Sequence, residues 1–217
     1  MKKAFTLIEL VFVIVIIGIL VALILPQTKT NSVQEAAIQV LSHIRYTQHL
    51  AMIDNKYNSK DKNWYKGRWQ IVFGKHSRFA NQKPAYTIFS DSGAYSGDPI
   101  QSEIAINPQN HNQIMTGGYG TGALDYNNAN FKGMRSLNLG EKYNITKISF
   151  SGGCNIGNRI SFDYLGRPFT GDHKTMTGPY SAKSSRLFTK DCNITLEDGT
   201  KSATIKISQE TGYARLN

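Results

Sequence analysis

Cysteine is scarce in this chain, which has only Cys154 and Cys192 among its 217 residues. Neither belongs to a C-x-x-C pair, so the spacing gives no indication of a zinc site or of redox chemistry. We therefore expect one structural disulfide between them, which requires an oxidising compartment. The alternative is a pair of buried free thiols.

Sequence patterns for catalysis and for metal or nucleotide binding are also missing. The glycine-rich stretch at residues 117–122 is not followed by Lys-Ser or Lys-Thr, and no G-x-S-x-G motif occurs. The histidines have no spacing typical of metal ligands; they are His43, His49, His76, His111 and His173. We therefore predict a protein that is not an enzyme and that uses no metal and no cofactor.

Long apolar runs are absent after Pro26, but one covers residues 5–25. About 21 apolar positions are enough to cross the core of a bilayer as a helix. A short basic leader, residues 1–4, precedes the run, and its Lys2 and Lys3 mark the cytoplasmic end. No A-x-A-like cleavage site follows the run, unlike in an ordinary secretory signal. The pattern predicts a single-pass membrane anchor.

Glu9 interrupts this apolar run. A carboxylate inside a membrane helix costs roughly 2.5 to 3.5 kcal/mol on insertion scales and is usually retained for a partner. Cleavage between Ala4 and Phe5 would create an α-amino group on Phe5, whose positive charge could meet Glu9 of a neighbouring subunit. We therefore interpret Glu9 as an assembly residue. The alternative is a side chain that snorkels to the membrane surface.

Residues 3–10, KAFTLIEL, resemble the class III signal sequence of type IV pilins and type II secretion pseudopilins. The resemblance implies that a prepilin peptidase cuts between Ala4 and Phe5 and that Phe5 becomes the N-methylated first residue. It also implies that Glu9 has the family's assembly role and that other pilin-like subunits are partners. The chain would then pass from the inner membrane, with its head in the periplasm, into a pilus or pseudopilus. The family usually has glycine before the cut, where this chain has Ala4.

The apolar positions after Pro26 follow a helical period, which predicts an amphipathic helix over residues 26–54. Proline removes a backbone donor, so Pro26 would bend this helix. In the resembled family the corresponding half-helix packs on the sheet of the head. We therefore expect Val40 and Ile44 to lie in the core.

Residues 55–217 are predicted to form one β-rich head. The polar residues 55–67 should be an exposed connection, and residues 107–130 should be a long loop. Alternating and β-branched runs predict strands at residues 69–73, 86–89, 104–106, 145–150, 160–162, 194–196, 203–207 and 213–216. The last three should form a meander. A long helix segregated from antiparallel strands predicts an α+β fold.

Two stretches of the head, residues 160–168 and 205–213, look like the closing strands of H-type pseudopilin and FimT-like heads. Those heads are β-sandwiches, and a generic minor-pilin head is the alternative. The resemblance implies a minor pilin or pseudopilin of a type II secretion-like or type IV pilus machine. A major pilin is a further alternative.

The basic balance of the chain raises a second function. The formal net charge is +10, and a basic protein attracts nucleic acid, anionic lipid or acidic partners. Cations interleaved with aromatic residues can bind DNA through phosphates and base stacking. The candidate DNA contacts are Lys60, Lys62, Lys66 and Arg68. A DNA-binding minor pilin of a competence pilus is therefore the alternative function, although a solvated loop would have the same composition.

Overall fold

The computed structural model describes residues 6–24, 31–74, 80–180 and 186–217. The predicted leader, the cleavage site between Ala4 and Phe5, and Pro26 lie outside the described residues. The chain divides into two compact units, one that ends at Asn31 and one from Ser32 to Asn217. The amphipathic helix therefore belongs to the same unit as the β-rich head.

Helix α1, Leu7–Ile24, lies in the first unit. Its side chains from Leu7 to Val21 are exposed, and nearly all of them are apolar. The predicted anchor, residues 5–25, extends past the described residues at both ends. No helix among the described residues is long and apolar enough to cross a membrane.

Helix α2, Ser32–Ile53, lies within the segment predicted as an amphipathic helix. Val40 and Ile44, which were expected in the core, are fully buried. The buried positions recur with the period of a helix, and they are Val33, Ala36, Ala37, Val40, Leu41, Ile44, Thr47 and Ala51. This stripe gives α2 one face that must be covered by the head.

Eight β-strands and a short helix, α3 (Leu139–Tyr143), occur among the described residues. The strands are β1 (Trp69–Gly74), β2 (Ala85–Ser90), β3 (Lys147–Gly152), β4 (Arg159–Phe162), β5 (Pro168–Thr170), β6 (Cys192–Glu197), β7 (Ser202–Ile207) and β8 (Ala214–Leu216). They form two antiparallel four-stranded sheets, in the orders β2-β1-β4-β5 and β3-β6-β7-β8. The predicted α+β fold is confirmed.

The C-terminal meander predicted from the sequence is present as β6, β7 and β8. Strand β3 pairs antiparallel with the other side of β6, at the edge of the sheet, and Phe150 lies opposite Ile194. In the other sheet, Ile71 of β1 lies opposite Ile88 of β2 and Ile160 of β4. Ile71, Ile88 and Ile160 are fully buried, so this part of the sheet covers the core. Strand β1 is an inner strand of that sheet.

Helix α2 packs against both sheets. It contacts β1 and β4 of the first sheet and β6, β7 and β8 of the second. Ile44 of α2 shares one hydrophobic cluster with Ile71 and Ile160 of the first sheet and with Ile194 and Ile205 of the second. Full burial of a side chain of this size contributes about 1.5–3 kcal/mol. This cluster therefore fixes the two sheets on one helix.

The prediction of a strand at residues 104–106 is wrong. Only isolated bridges form there, between Phe89 and Ile104 and between Ile106 and Ile114. The backbone of Ala105 explains this, since its N–H donates to the carbonyl of Ile88 while its carbonyl accepts from the N–H of Met115. The segment is thus held residue by residue beside β2, without a continuous ladder.

The connection predicted at residues 55–67 is only partly exposed. Its last residues form a short 3-10 turn, Trp64–Gly67, in which Tyr65 and Gly67 are buried. The hydroxyl of Tyr65 donates to the carbonyl oxygen of Met176 at 3.2 Å. This contact ties the end of the connection to the segment after β5, so the expectation of full exposure is wrong at these positions.

Candidate functional site

The first candidate site is the start of α1, where Thr6 and Glu9 contact each other. The backbone N–H and the hydroxyl of Thr6 donate to Oε2 of Glu9 at 2.9 and 2.8 Å, and the N–H of Glu9 donates to Oγ1 of Thr6 at 3.4 Å. A threonine before a helix and a glutamate three residues later form a capping box, which pairs backbone donors left free at a helix start. The sequence analysis found Glu9 but missed this pairing, although the T-x-x-E spacing could have indicated it.

Both hydrogen bonds from Thr6 reach the same oxygen of Glu9, Oε2. The other oxygen, Oε1, accepts no hydrogen bond from the described residues. An ionised carboxylate has about four acceptor positions. Glu9 can therefore cap α1 through Oε2 and still accept a hydrogen bond from an ammonium group at Oε1. The predicted processing residues, Ala4 and Phe5, lie outside the described residues.

Comparison with known proteins bears on this end of the chain. Residues 1–25 match the family model described as the prokaryotic N-terminal methylation motif. No curated protein and no solved structure matches the chain. The match supports the type IV pilin and pseudopilin family, which confirms the resemblance at the N-terminus. Since it covers residues 1–25 and not the head, the subtype of the head stays a prediction.

The second candidate site is the basic segment, defined as residues 56–68. Lys60 and Lys62 are exposed, and Lys66 is half-buried. Between them, Asp61 accepts a hydrogen bond from the hydroxyl of Tyr95, which lowers the pKa of that carboxyl. Asp61 therefore keeps its negative charge near the lysines and reduces the positive potential of the segment.

An aromatic pair lies within the same segment. The ring of Tyr57 packs edge-on against that of Trp64, with 5.3 Å between the ring centroids. Tyr57 is 62% exposed. Exposed aromatic rings beside lysines are the chemical groups that bind single-stranded nucleic acid, because bases stack on rings and phosphates attract ammonium groups. Three of the four predicted DNA contacts, Lys60, Lys62 and Lys66, thus belong to the same short segment as an exposed ring.

Arg68, the fourth predicted DNA contact, is misassigned because the side chain is only 2% exposed. Its guanidinium stacks over the ring of Phe169 at 4.3 Å and over that of Tyr180 at 5.1 Å. Burial lowers the pKa of Arg68 from its usual value. The residue lies just before β1, and its neighbour Gln70 is also buried. Composition alone could not show that this part of the segment passes under the loop after β5.

Cys154 and Cys192 form the predicted disulfide, with 5.2 Å between their Cα atoms. Both residues are fully buried, and Cys192 pairs across the sheet with Gly152 of β3. Gly152 has a φ of +75°, and a Cβ at this position would lie 2.1 Å from the carbonyl oxygen of Asp191. Only glycine allows the chain to turn this closely back toward β6, so Gly152 helps to place the two sulfur atoms together.

A buried pair of polar side chains was not predicted from the sequence. Ser161 of β4 and Nε2 of His173 are 2.5 Å apart, and both residues are almost completely buried. Burial and the positive charge of Arg68 hold the pKa of His173 well below its usual value. The pair is covered by protein, so it is a polar contact within the head and not an exposed nucleophile. Among the described residues no group of three potential metal ligands occurs.

Proposed function

We propose that this chain is a non-enzymatic minor pilin or pseudopilin of a type II secretion-like or type IV pilus machine. It is anchored in the inner membrane by residues 5–25, with its head in the periplasm. A prepilin peptidase removes residues 1–4, Phe5 is N-methylated, and the chain then assembles with other pilin-like subunits. The observation that carries this proposal is the match of residues 1–25 to the N-terminal methylation motif.

The geometry of Glu9 supports the assembly step. Its carboxylate is already oriented by Thr6 and keeps Oε1 available. The new α-amino group of Phe5 in a neighbouring subunit is a cation of the kind that such a carboxylate binds. Pairing the two ions removes the cost of holding each one alone in an apolar surrounding. The residues of α1 that would surround the pair are apolar, which strengthens the attraction.

The test is the intact mass and N-terminal sequence of the full chain expressed with and without a prepilin peptidase. We expect a chain that begins at Phe5 and carries one added methyl group, only when the peptidase is present. Ala4→Gly restores the residue usual for the family and should increase the cleaved fraction. If the unmodified chain and Ala4→Gly both still begin at Met1 when the peptidase is present, the proposed processing is overturned.

Assembly is tested separately from cleavage. Glu9→Gln should leave the cleavage and methylation unchanged and abolish cross-links between copies, because the neutral side chain cannot pair with the amino group of Phe5. Glu35→Gln is the matched control, since Glu35 is an exposed glutamate in the first turn of α2. Equal cross-linking in the Glu9→Gln variant and the control would contradict the assembly role.

DNA binding in a competence pilus is the second candidate function. It is favoured by the exposed Lys60 and Lys62, the half-buried Lys66 and the exposed ring of Tyr57 in one segment. Replacing the three lysines by glutamine should weaken DNA binding and reduce its salt dependence. On B-DNA, each lost phosphate contact should lower the slope of log affinity against log salt by about 0.9.

A second triple variant controls for overall charge. Lys132, Lys142 and Lys201 are exposed and lie outside the basic segment, so replacing them by glutamine removes the same number of charges. Both variants should be compared with the unmodified full chain in neutral detergent at low salt. If the two triple variants bind DNA equally well, the basic segment is not a DNA site and only non-specific attraction is left.

A further inference from the structure

The two sheets of the head have four edges, and β2 and β5 are the edges of the first sheet. A bare edge presents unpaired N–H and C=O groups that pair readily with another chain, so proteins usually cover their edges. Beside β2, the N–H of Ile88 donates to the carbonyl oxygen of Met115 at 3.0 Å. Beside β5, the N–H of Thr170 donates to the carbonyl oxygen of Arg186 at 2.8 Å. The chain therefore covers both edges of this sheet itself.

The second sheet has β8 and β3 at its edges. The guanidinium of Arg45 lies against β8 and donates to the carbonyl oxygen of Ala214 at 3.1 and 2.8 Å. Strand β8 is thus covered by a side chain of α2. Strand β3 pairs with β6 on one side only.

The hydrogen-bond pattern shows which backbone groups of β3 point away from β6. In an antiparallel pair, residues that bond to the partner strand alternate with residues whose N–H and C=O groups point outward. The N–H of Gly153 donates to the carbonyl oxygen of Asp191 at 3.0 Å, so every second residue counted back from Gly153 bonds to β6. The backbone groups of Ile148 and Phe150 therefore point outward. These four groups, which we call the β3 edge, have no hydrogen-bond partner among the described residues.

A groove of about 230 Å³ lies beside the β3 edge. Phe73, Pro84, Ile148 and Phe150 form its apolar wall. The rings of Phe73 and Phe150 meet edge-on with 5.5 Å between their centroids, and the side chains of Ile148 and Phe150 are only half-buried. Small-molecule sites usually measure roughly 300–1,000 Å³. The size of the groove therefore suits individual side chains better than a small-molecule ligand.

An extended peptide fits the β3 edge and the groove together. Added antiparallel to β3, it exchanges main-chain hydrogen bonds with Ile148 and Phe150. Side chains of residues that lie opposite each other share one face of a sheet, so the peptide residues opposite these two point toward the groove. They are two positions apart in the peptide. An order of apolar, polar and apolar residues therefore matches the edge.

The charge at the start of β3 defines a further position. Lys147 also lines the groove, its side chain is 66% exposed, and its Nζ lies 3.6 Å from a carboxylate oxygen of Glu197. An exposed ion pair of this kind contributes little, so the ammonium group still attracts a second carboxylate. Strand β3 itself contains no acidic residue, so β3 of a second copy offers no carboxylate opposite Lys147. The formal net charge of the chain, +10, also favours an acidic partner.

We propose that the β3 edge binds an extended segment of an acidic partner protein, which adds a fifth strand to the second sheet. The partner residues opposite Phe150 and Ile148 are apolar and enter the groove, and the residue opposite Lys147 is aspartate or glutamate. Along the partner the order is apolar, any residue, apolar, acidic. The proposal concerns the head alone and does not rest on the proposed function of the chain.

The test is fluorescence anisotropy of the labelled peptide STVTVEST with the full chain in neutral detergent. Two control peptides carry N-methyl groups, either on both valines or on the threonine between them. Methylation of the valines blocks two hydrogen bonds to the β3 edge, so the affinity should fall about tenfold. The N–H of that threonine points away from β3, so its methylation should have no effect. The proposal is overturned if STVTVEST does not bind at millimolar concentration or if the two methylated peptides bind equally.

A charge exchange tests the position opposite Lys147. Lys147→Glu should weaken the binding of STVTVEST and strengthen that of STVTVKST, in which lysine replaces the glutamate. Lys174→Glu makes the same change at an exposed lysine outside the groove, so it should leave the ratio of the two affinities as it is in the unmodified chain. Equal ratios in the two variants would contradict the acidic position of the partner.

Ile148→Pro separates a partner strand from a second copy of this chain. It removes an outward N–H and leaves the hydrogen bonds to β6 in place. We expect the variant to keep the near-UV circular dichroism of the head and to lose the peptide. Analytical ultracentrifugation should give the same mass for both chains, whereas a dimer that Ile148→Pro dissociates would identify a second copy as the occupant and overturn the proposal. If the variant does not fold, the methylated peptides decide the matter with the unmodified chain.

Discussion

The side-chain amide of Gln48 on α2 donates a hydrogen bond to the carbonyl oxygen of Gly166 at 2.9 Å, and the same nitrogen donates to the carbonyl of Thr211 at 2.8 Å. Gly166 lies in the turn after β4, in the first sheet, and Thr211 lies between β7 and β8, in the second. One amide group on the helix thus connects a turn of each sheet. The approach is close, since a Cβ on Gly212 would lie 2.3 Å from the carbonyl oxygen of Gly166.

Gln48→Ala should therefore destabilise the head. Two carbonyl groups lose their donor, and we expect the free energy of unfolding to fall by about 1–3 kcal/mol. The measurement is urea unfolding of the full chain in detergent, followed by near-UV circular dichroism. Gln34→Ala is the control, because Gln34 is exposed on the same helix and its loss should cost less than about 0.5 kcal/mol. Equal unfolding midpoints for the two variants would contradict the connecting role of Gln48.

The disulfide should stabilise the head by constraining the unfolded chain. Cys154 and Cys192 are 38 residues apart, and closing a loop of this length contributes roughly 3 to 4 kcal/mol in the chain-entropy model. A reductant should lower the free energy of unfolding by about this amount. The double variant Cys154→Ala, Cys192→Ala should show the lowered stability without reductant and should not respond to it. A stability of the unmodified chain that is insensitive to full reduction would contradict this account.

The fold class and the positions of most elements could be predicted from the sequence because apolar periodicity is a local signal. The stripe through Val40 and Ile44 indicated a helix, and the alternating runs near the C-terminus indicated the meander. The prediction of a strand at residues 104–106 was wrong because the backbone partners of this segment are Ile88, in β2, and Met115, in a loop. Local pattern carries no information about such partners.

The same limit explains the outcome at the basic segment. Lys60 and Lys62 are exposed as a charged loop should be. Arg68 is buried because the rings of Phe169 and Tyr180 lie over its guanidinium. Both aromatic residues are far from Arg68 in the sequence. The Ser161–His173 pair was missed for a related reason. Neither residue is in a motif, and only the antiparallel β4–β5 pairing and the turn after it bring them together.

His43 should make the stability of the head depend on pH. Its Nδ1 lies 2.6 Å from the hydroxyl of Tyr86, whose oxygen accepts from the side chain of Gln39. Tyr86 therefore donates to a neutral imidazole. Burial lowers the pKa of His43 from 6.5 to about 4. In the unfolded chain the pKa is about 6.5, so this contribution is fully present above that pH and is lost progressively as the pH falls from about 6.5 toward 4.

The size of this effect follows from the difference in pKa. A difference of one pKa unit corresponds to about 1.4 kcal/mol. Because the side chain of His43 is only half-buried, solvent screens part of this effect. We therefore expect the free energy of unfolding to fall by about 1–3 kcal/mol over this pH range. Unfolding measured at several pH values should show a weaker pH dependence for His43→Gln than for the unmodified chain. His49→Gln replaces an exposed histidine of the same helix and should leave the profile unchanged. An NMR titration that gives His43 a pKa near 6.5 would contradict the prediction.

Thr6 should be needed for assembly because it orients Glu9. Its hydroxyl and backbone N–H hold Oε2 of Glu9 at 2.8 and 2.9 Å. Thr6→Val keeps the shape of the side chain and removes the hydroxyl, so the carboxylate should lose one hydrogen bond and much of its fixed orientation. We expect cross-linking between processed copies to fall several-fold. Thr6→Ser keeps the hydroxyl and should restore it.

The two Thr6 variants also separate assembly from processing. Thr6 lies beside the predicted cut, so the cleaved and methylated fraction must be measured by intact mass for each variant, and cross-linking must be compared at equal amounts of cleaved chain. A valine variant that is cleaved and cross-linked as well as the serine variant would show that Glu9 needs no hydroxyl partner. Normal cleavage with lost cross-linking in the valine variant alone would support the capping contact, because only the hydroxyl distinguishes the two side chains in their contact with Glu9.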